Sequence, residues 1–242
     1  MKQTFLFLSV FCLLTSAINV NAQRSKKITG EGEVTTQPRS VSDFDQVHSR
    51  GSFNIVLTDA SSKSVKVEAE QNLQEYVEVE VKNGELIISN KKNYELHPKK
   101  DITVYVSAPA FKRISSSGSG NITTTNTLNG SDNVSIRTAG SGNIAIDIET
   151  SLLKTSIAGS GNVTLKGKTS DFEGSIAGSG NIKAKELQSA NTSVRISGSG
   201  NAEVVATQKL TSHIAGSGDI KYWGNASLDS KVMGSGTIRR QN

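Results

Sequence analysis

The sequence predicts an all-β protein, a right-handed parallel β-helix-like solenoid of about seven turns preceded by a less regular β-rich N-terminal part. The tripeptide Gly-Ser-Gly returns seven times, at intervals of 18 to 22 residues. Apolar residues alternate with polar ones on both sides of each triplet, which is typical of half-buried strands, and no segment shows a sustained helical period. The copies begin at Gly118, Gly140, Gly159, Gly178, Gly198, Gly216 and Gly234.

Each repeat unit has the length of one turn of a parallel β-helix. Counted from the first glycine, positions 5 and 7 are mostly apolar, and a third apolar point recurs later in each unit. Units of this length are too short for propeller blades or helical hairpins, whereas stacking at roughly 4.8 Å would join three apolar faces into one core. The residues at the third point are Leu128, Leu152 or Leu153, Phe172, Leu187, Leu210 and Leu228.

A polar column follows the triplets. Glycine suits a corner that needs positive φ or close backbone approach. The residue after it can adopt the left-handed conformation or join a hydrogen-bonded ladder, and we expect a structural ladder rather than a binding surface. The column consists of Asn121, Asn143, Asn162, Asn181, Asn201 and Asp219.

Residues 1–22 are predicted to be a secretory signal peptide. Lys2 precedes an apolar run from Phe5 to Leu14, and small residues stand before the expected cleavage point. The run is too short to span a bilayer comfortably, so we expect no transmembrane span in the mature chain. Because the single cysteine, Cys12, lies in this run, the mature chain has no disulfide or thiolate. We expect an exported protein in the periplasm, on the outer cell surface or outside the cell.

The rest of the chain divides into three parts. Residues 23–38 are polar and are predicted to be a flexible leader. Residues 39–110 form the N-terminal β-rich part of one domain, and residues 111–242 form its solenoid part. Asn83-Gly84 predicts a type I′ hairpin, and Gly51 to Leu57 resembles a degenerate early turn or the start of a cap. Strands are predicted at Phe53 to Asp59, Ser64 to Glu70, Tyr76 to Lys82, Glu85 to Asn90 and Asp101 to Ser107.

These features resemble a bacterial family of unknown function, described as "putative auto-transporter adhesins" with a head GIN domain. The resemblance covers about Val41 to Ile238. It lies in Phe44-Asp45-Gln46-Val47, in Gly51 to Leu57 and in the Gly-Ser-Gly-Asn-Ile copies. It implies an exported, right-handed β-helix-like domain in the cell envelope with an adhesin-type role.

The sequence predicts no catalytic residue, no cofactor and no metal site. Parallel β-helices also host polysaccharide lyases and hydrolases, but the acids of the repeat occupy different positions and form no column. The three histidines are isolated, without a cysteine or carboxylate cluster at ligand spacing. Asp219 follows a Gly-Ser-Gly as in calcium-binding β-rolls, but only one copy has it.

Two places are candidate ligand surfaces. Lys91, Lys92, Lys99 and Lys100 form a basic patch that could meet an acidic glycan or a lipid headgroup, with a solvated loop as the alternative. Trp223 could stack on a sugar ring. Export and an aromatic content of 5% disfavour nucleic acid as a partner.

We therefore predict a non-enzymatic exported solenoid that contacts a glycan or a cell-envelope protein through its ladder faces. One alternative is a structural solenoid that assembles through open ends or faces. A second alternative is a polysaccharide-active β-helix enzyme. Concentration-dependent size would favour the first alternative, and activity on glycans the second. The sequence leaves the oligomeric state open.

Overall fold

The computed structural model describes residues 25–242, and most of them lie in strands. The predicted signal peptide, with Cys12, lies outside the described residues. Within this range, one short 3₁₀ helix, Gln71–Tyr76, interrupts the strands. The strands are β1 (Lys26–Thr29), β2 (Val34–Arg39), β3 (Gln46–Gly51), β4 (Asn54–Asp59), β5 (Ser64–Glu70), β6 (Val77–Lys82), β7 (Glu85–Asn90), β8 (Tyr94–His97), β9 (Thr103–Ala108), β10 (Arg113–Gly118), β11 (Ile122–Thr124), β12 (Asn133–Gly140), β13 (Ile144–Gly159), β14 (Asn162–Gly178), β15 (Asn181–Gly198), β16 (Asn201–Val205), β17 (Lys209–Gly216), β18 (Ile220–Trp223), β19 (Ser227–Gly234) and β20 (Ile238–Arg240).

Two long parallel stacks of strands meet at the Gly-Ser-Gly corners. The pre-corner sheet contains the strands that end at a corner glycine: β3, β10, β12, the final parts of β13, β14 and β15, then β17 and β19. The post-corner sheet contains those that begin after it: β4, β11, the first parts of β13, β14 and β15, then β16, β18 and β20. The predicted solenoid of about seven turns is confirmed, as is the less regular N-terminal part.

The core runs along the axis as continuous columns of inward side chains. The third side of the coil holds two such columns, so one grouping made from the sequence was wrong. Leu128 and Leu187 do not join Phe172; they lie in a separate column that passes through Ile148 and Gly167. The Phe172 column instead contains Leu153 before it and Leu210 two turns after it. The isoleucines two residues before the corners are all buried: Ile157, Ile176, Ile196 and Ile214.

The corners need glycine because neighbouring backbones touch there. Gly178 has φ 126°, and a Cβ on it would stand 2.5 Å from the carbonyl oxygen of Gly159 on the preceding turn. That same oxygen accepts hydrogen bonds from the backbone N–H groups of Ser179 and Gly180, at 3.0 and 3.1 Å. Each corner therefore rests on the carbonyl of the corner before it.

The N-terminal end of the solenoid is capped. Parallel stacking begins inside the N-terminal part, where Gly51 lies opposite Gly118 and the Gly51 to Leu57 segment forms an early turn. Beyond that turn, β2 and β5 extend the post-corner sheet and β6 extends the pre-corner sheet in antiparallel pairs. The hairpin of β6 and β7 turns at Asn83 and Gly84, both with positive φ, as predicted. The fully buried Leu73 of the 3₁₀ helix packs into the core here.

The flexible leader predicted over residues 23–38 is wrong, because β1 and most of β2 lie there. β2 is an edge strand, and all six of its residues are at least partly exposed to solvent, so its sequence carries little apolar alternation. A polar clamp holds it on the cap: Gln74 Nε2 donates to the Thr35 carbonyl oxygen at 2.7 Å, and Arg39 Nη2 donates to Gln74 Oε1 at 2.8 Å.

The opposite end of the described solenoid is open. Within residues 25–242, the outer edges of β19 and β20 pair with no strand. Leu228 and Val232 occupy inward columns, yet they are 45% and 41% exposed. One turn earlier in the same columns, Leu210 and Ile214 are completely buried. The core residues of the last turn are therefore exposed to solvent. We call this surface, formed by β19 and β20 with Leu228 and Val232, the open end.

Candidate functional site

The asparagine column forms a chain of side-chain hydrogen bonds. Each Nδ2 donates to the Oδ1 of the asparagine one turn before it. The donor-acceptor distances are 3.2 Å for Asn121 to Asn54, 3.1 Å for Asn143 to Asn121, 2.9 Å for Asn162 to Asn143, 2.8 Å for Asn181 to Asn162 and 3.1 Å for Asn201 to Asn181. None of these residues has a positive φ; among the described non-glycine residues only Asn83 and Asn93 do. The amides are thus engaged with one another along the column.

Asp219 continues the column with a different donor. Its backbone N–H donates to Asn201 Oδ1 at 3.0 Å, so the aspartate needs no side-chain donor. Its Oδ1 accepts from the Thr237 hydroxyl at 2.6 Å and from the Thr237 N–H at 2.8 Å. Both hydrogen bonds lower the pKa of Asp219, and the bond from the Thr237 hydroxyl has the larger effect. The aspartate side chain, which only accepts hydrogen bonds at neutral pH, therefore fits at this position of the column.

Lys91, from the predicted basic patch, packs on aromatic rings. Its Nζ lies 5.6 Å from the ring centre of Tyr76 and 5.9 Å from that of Tyr94, and the two rings are 4.7 Å apart. The cation thus covers an aromatic pair and is only half-exposed.

The other three lysines of the patch are exposed, and two of them lie on a loop that a buried carboxylate anchors. The backbone N–H groups of Lys99 and Lys100 donate to Glu70 Oε1 at 2.8 and 2.9 Å, whereas Lys92 lies on the turn before β8. Burial acts to raise the pKa of Glu70, but backbone hydrogen bonds outweigh it, and the pKa is lowered. The loop position is fixed by the cap, while the lysine side chains face solvent.

Trp223 lies in the last but one post-corner strand, far from the lysines. It is half-buried, and Lys185 Nζ stands 5.3 Å from its ring centre. Tyr222 beside it points inward and is 7% exposed. The structure therefore places Trp223 next to the open end and the lysine patch at the cap, so the two candidate surfaces do not form one site.

A third surface, which sequence reasoning missed, runs along the pre-corner sheet. The third residue before each corner glycine faces outward, and these residues stack in register. We call them the basic column because they include two arginines, a lysine and two histidines, but no carboxylate. They are His48, Ser115, Arg137, Ser156, Ser175, Arg195, His213 and Lys231. Alignment of the repeats at this offset would have revealed the column.

The middle of the basic column is a shallow depression of about 230 Å³. Its floor is low because Ser156 and Ser175 are short, and Arg137 and Arg195 rise at either end. These arginines are three strands apart, roughly 14 Å at the usual strand spacing. Lys154 flanks the floor and is paired with Glu173 on the next strand at 3.0 Å.

A serine, a histidine and a glutamate also meet on this sheet, near the cap. His48 Nε2 is 3.0 Å from Ser117 Oγ, and His48 Nδ1 is 3.8 Å from Glu85 Oε1. However, Arg50 Nε donates to Nδ1 at 3.4 Å. In a neutral imidazole that bond places the proton on Nε2, where it cannot accept the serine proton. Burial, and then the charge of Arg50, lower the pKa of His48. The arrangement lacks the hydrogen-bond order of a nucleophile and its base.

Among residues 25–242, no three or more His, Cys, Asp or Glu side chains are grouped so that they could hold a metal ion. In the same range no helix is long and apolar enough to cross a membrane.

The fold and surfaces define a capped parallel β-solenoid that presents side-chain columns rather than a deep pocket. Residues 43–226 match the family model described as "Putative auto-transporter adhesin, head GIN domain". The chain belongs to this family. No curated protein matches it.

Several solved structures are similar over almost the whole chain. A crystal structure described as a putative adhesin from Bacteroides fragilis NCTC 9343 has 25% identity and a TM-score of 0.84, covering 88% of this chain and all of that one. A putative lipid binding protein from Parabacteroides distasonis ATCC 8503 has 29% identity and a TM-score of 0.73, over 90% of this chain and all of that one. A putative adhesin from the same strain has 26% identity and a TM-score of 0.73, over 89% of this chain and all of that one.

Proposed function

We propose that this chain is an exported, non-enzymatic binding protein of the adhesin type that contacts an extended acidic glycan through the basic column. The observation that carries the proposal is that the column has no carboxylate along its length. Membership of an adhesin-named family and adhesin-named structural neighbours support it.

The chemistry of the depression fits an anionic sugar chain. Guanidinium groups bind carboxylate and sulfate in a bidentate manner, and serine hydroxyls both donate to and accept from sugar hydroxyls. Arg137 and Arg195 would contact anionic groups at two points along one chain, with Ser156 and Ser175 between them. Arg137 Nε donates to Ser135 Oγ at 3.3 Å, which restrains the side chain before a ligand arrives.

A shallow, repetitive surface suits a polymer better than a small molecule. Pockets for small ligands enclose most of the ligand surface. Here the floor is an open sheet, and its rungs repeat along the solenoid axis. A polymer that lies along the rungs can gain many weak contacts, and we expect its binding to weaken as salt rises.

The asparagine column serves the fold in this proposal. Each side-chain amide uses one N–H and one oxygen lone pair to bond its neighbours in the column, so the neighbouring turns fix its position without a ligand. Trp223 and the lysine patch then remain rival binding surfaces, each testable by itself.

The test is a glycan array followed by titration of the best ligand. Three variants are compared with the unchanged protein: Arg137→Gln with Arg195→Gln, Trp223→Ala, and alanine at Lys91, Lys92, Lys99 and Lys100. We expect binding to uronate or sulfate glycans, and a loss of roughly tenfold or more in affinity in the arginine variant alone. Lys183→Gln, an exposed lysine of the post-corner sheet, is the matched control.

Two results would overturn the proposal. One is a folded protein that binds no acidic glycan. The other is glycan binding that is unchanged in the arginine variant. If binding is instead lost in the Trp223 or the lysine variant, the site lies on that surface.

A further inference from the structure

The open end carries three exposed apolar side chains on one edge strand, which pairs with β17 on one side only. Leu228, Val232 and Met233 of β19 are 45%, 41% and 48% exposed. Leu228 and Val232 continue columns that are otherwise buried, opposite Leu210 and Ile214. An unpaired strand edge beside exposed core residues is a template for another strand.

We propose that the open end binds the open end of a second copy of this chain, through an antiparallel pair of β19 strands. A head-to-tail arrangement would leave the exposed core residues of the open end unmatched, because at the other end of the solenoid the core is closed by the 3₁₀ helix with its buried Leu73. Two open ends can meet around a two-fold axis, which closes the assembly at two copies. An axis perpendicular to both the solenoid axis and β19 makes the two edge strands antiparallel.

The sequence of β19 is complementary to itself in one register. With Ser230 on the two-fold axis, Asp229 lies opposite Lys231 of the second copy, and Lys231 lies opposite its Asp229. Both side chains face outward, in the columns of Thr211 and His213. Opposite charges directly across an antiparallel pair are favourable, and like charges are unfavourable. A shift that centred the pair on Lys231 would instead place two lysines together.

The same register joins the two cores. Leu228 lies opposite Val232 of the second copy, and both face inward. Ser230 follows the inward position of Ser212, so the two copies of Ser230 meet at the axis. Directly opposed residues in an antiparallel pair share a face, so apolar meets apolar while the charged pairs remain at the surface.

A charge-exchange experiment tests the register. The protein recovered from expression of the full 242-residue chain is studied by analytical ultracentrifugation over a range of concentrations. We expect a dimer for the unchanged protein. Asp229→Lys or Lys231→Glu alone should give monomers. Position 229 of each copy faces position 231 of the other, so either change places like charges together at two places in the dimer.

Two combinations should restore the dimer. The double variant carrying both changes reverses every pair and so remains complementary. A mixture of the two single variants should form heterodimers, since the lysine introduced at position 229 of one chain would face the glutamate introduced at position 231 of the other. Lys183→Glu, mid-solenoid and exposed, controls for net charge and should leave the dimer unchanged.

A cysteine placed on the axis gives a second readout. Ser230→Cys should form a disulfide-linked dimer on mild oxidation, because opposed Cα atoms in an antiparallel pair are about 4.5–5.5 Å apart, within disulfide reach. Ser227→Cys on the same strand should not, since its two copies would be roughly 20 Å apart. A monomer at all concentrations, larger open-ended assemblies, or no rescue by the charge exchange would overturn the proposal.

Discussion

Replacement of Asn162 tests whether the asparagine column stabilises the fold. Its Nδ2 donates to Asn143 Oδ1 at 2.9 Å, and its Oδ1 accepts from Asn181 Nδ2 at 2.8 Å. Asn162→Ala removes both bonds, each with a net contribution of about 0.5–1.5 kcal/mol. Because water can reach the two abandoned neighbours, we expect a total loss of about 1–2 kcal/mol. That corresponds to a fall in Tm of about 2–8 °C for a chain of this size.

A charged replacement separates hydrogen bonding from simple loss of contact. Asn162→Asp at pH 7 cannot donate and sets a carboxylate against Asn143 Oδ1, so it should destabilise more than alanine does. Protonation at acid pH restores a donor and should narrow the difference. Ser160→Ala, at the exposed middle of the adjacent corner, is the control.

Urea unfolding followed by circular dichroism gives the free energies of unfolding. Equal losses for Asn162→Ala and Ser160→Ala would refute the ladder reasoning. An aspartate variant no worse than alanine at pH 7 would refute the direction assigned to the hydrogen bonds.

Three further predictions concern the corner, the open end and acid stability. Gly178→Ala should cost more than about 2 kcal/mol in urea unfolding, because positive φ alone costs about 1–3 kcal/mol and its Cβ overlaps the preceding corner, whereas Ser179→Ala should be nearly neutral. Leu210→Ala should cost about 2–5 kcal/mol, and Leu228→Ala in the same column much less at low protein concentration; equal losses there would contradict an open end. Asp219 has a pKa lowered from its ordinary 3.8, so its contribution is present above that value and is lost as pH falls through the lowered pKa. Thermal melts from pH 6 to pH 2 should therefore show a shallower acid loss for Asp219→Asn, and parallel curves would contradict this.

The fold was predictable because the repeat shows its period directly. The corner glycines and the apolar alternation beside them can each be recognised within a few consecutive residues. Asn83-Gly84 identifies a hairpin in the same local way. β2 left no such mark. β2 is held in place by the hydrogen bond between Arg39 and Gln74, which are 35 positions apart in the sequence. In addition, an edge strand needs no apolar alternation.

The candidate surfaces were harder to predict, because their ordering depends on register between turns. The lysine patch and Trp223 stand out as residue types, but the structure places them at opposite ends. The basic column takes a different residue type from one turn to the next, with serines between Arg137 and Arg195, so no single unit shows it. The open end was foreseeable only as a general property of solenoids; the match of Asp229 to Lys231 appears once β19 is known to be an edge.

The corner register has a consequence for how such a chain can change in length. Every turn rests on its neighbour through the same corner contacts, and Gly159 lies directly opposite Gly178. Duplication of one whole unit between these corners would add one rung of roughly 4.8 Å and leave the cap and the last turn unaltered. The reach of the molecule is therefore adjustable in single steps, by insertion of one repeat at a time, without redesign of either terminus.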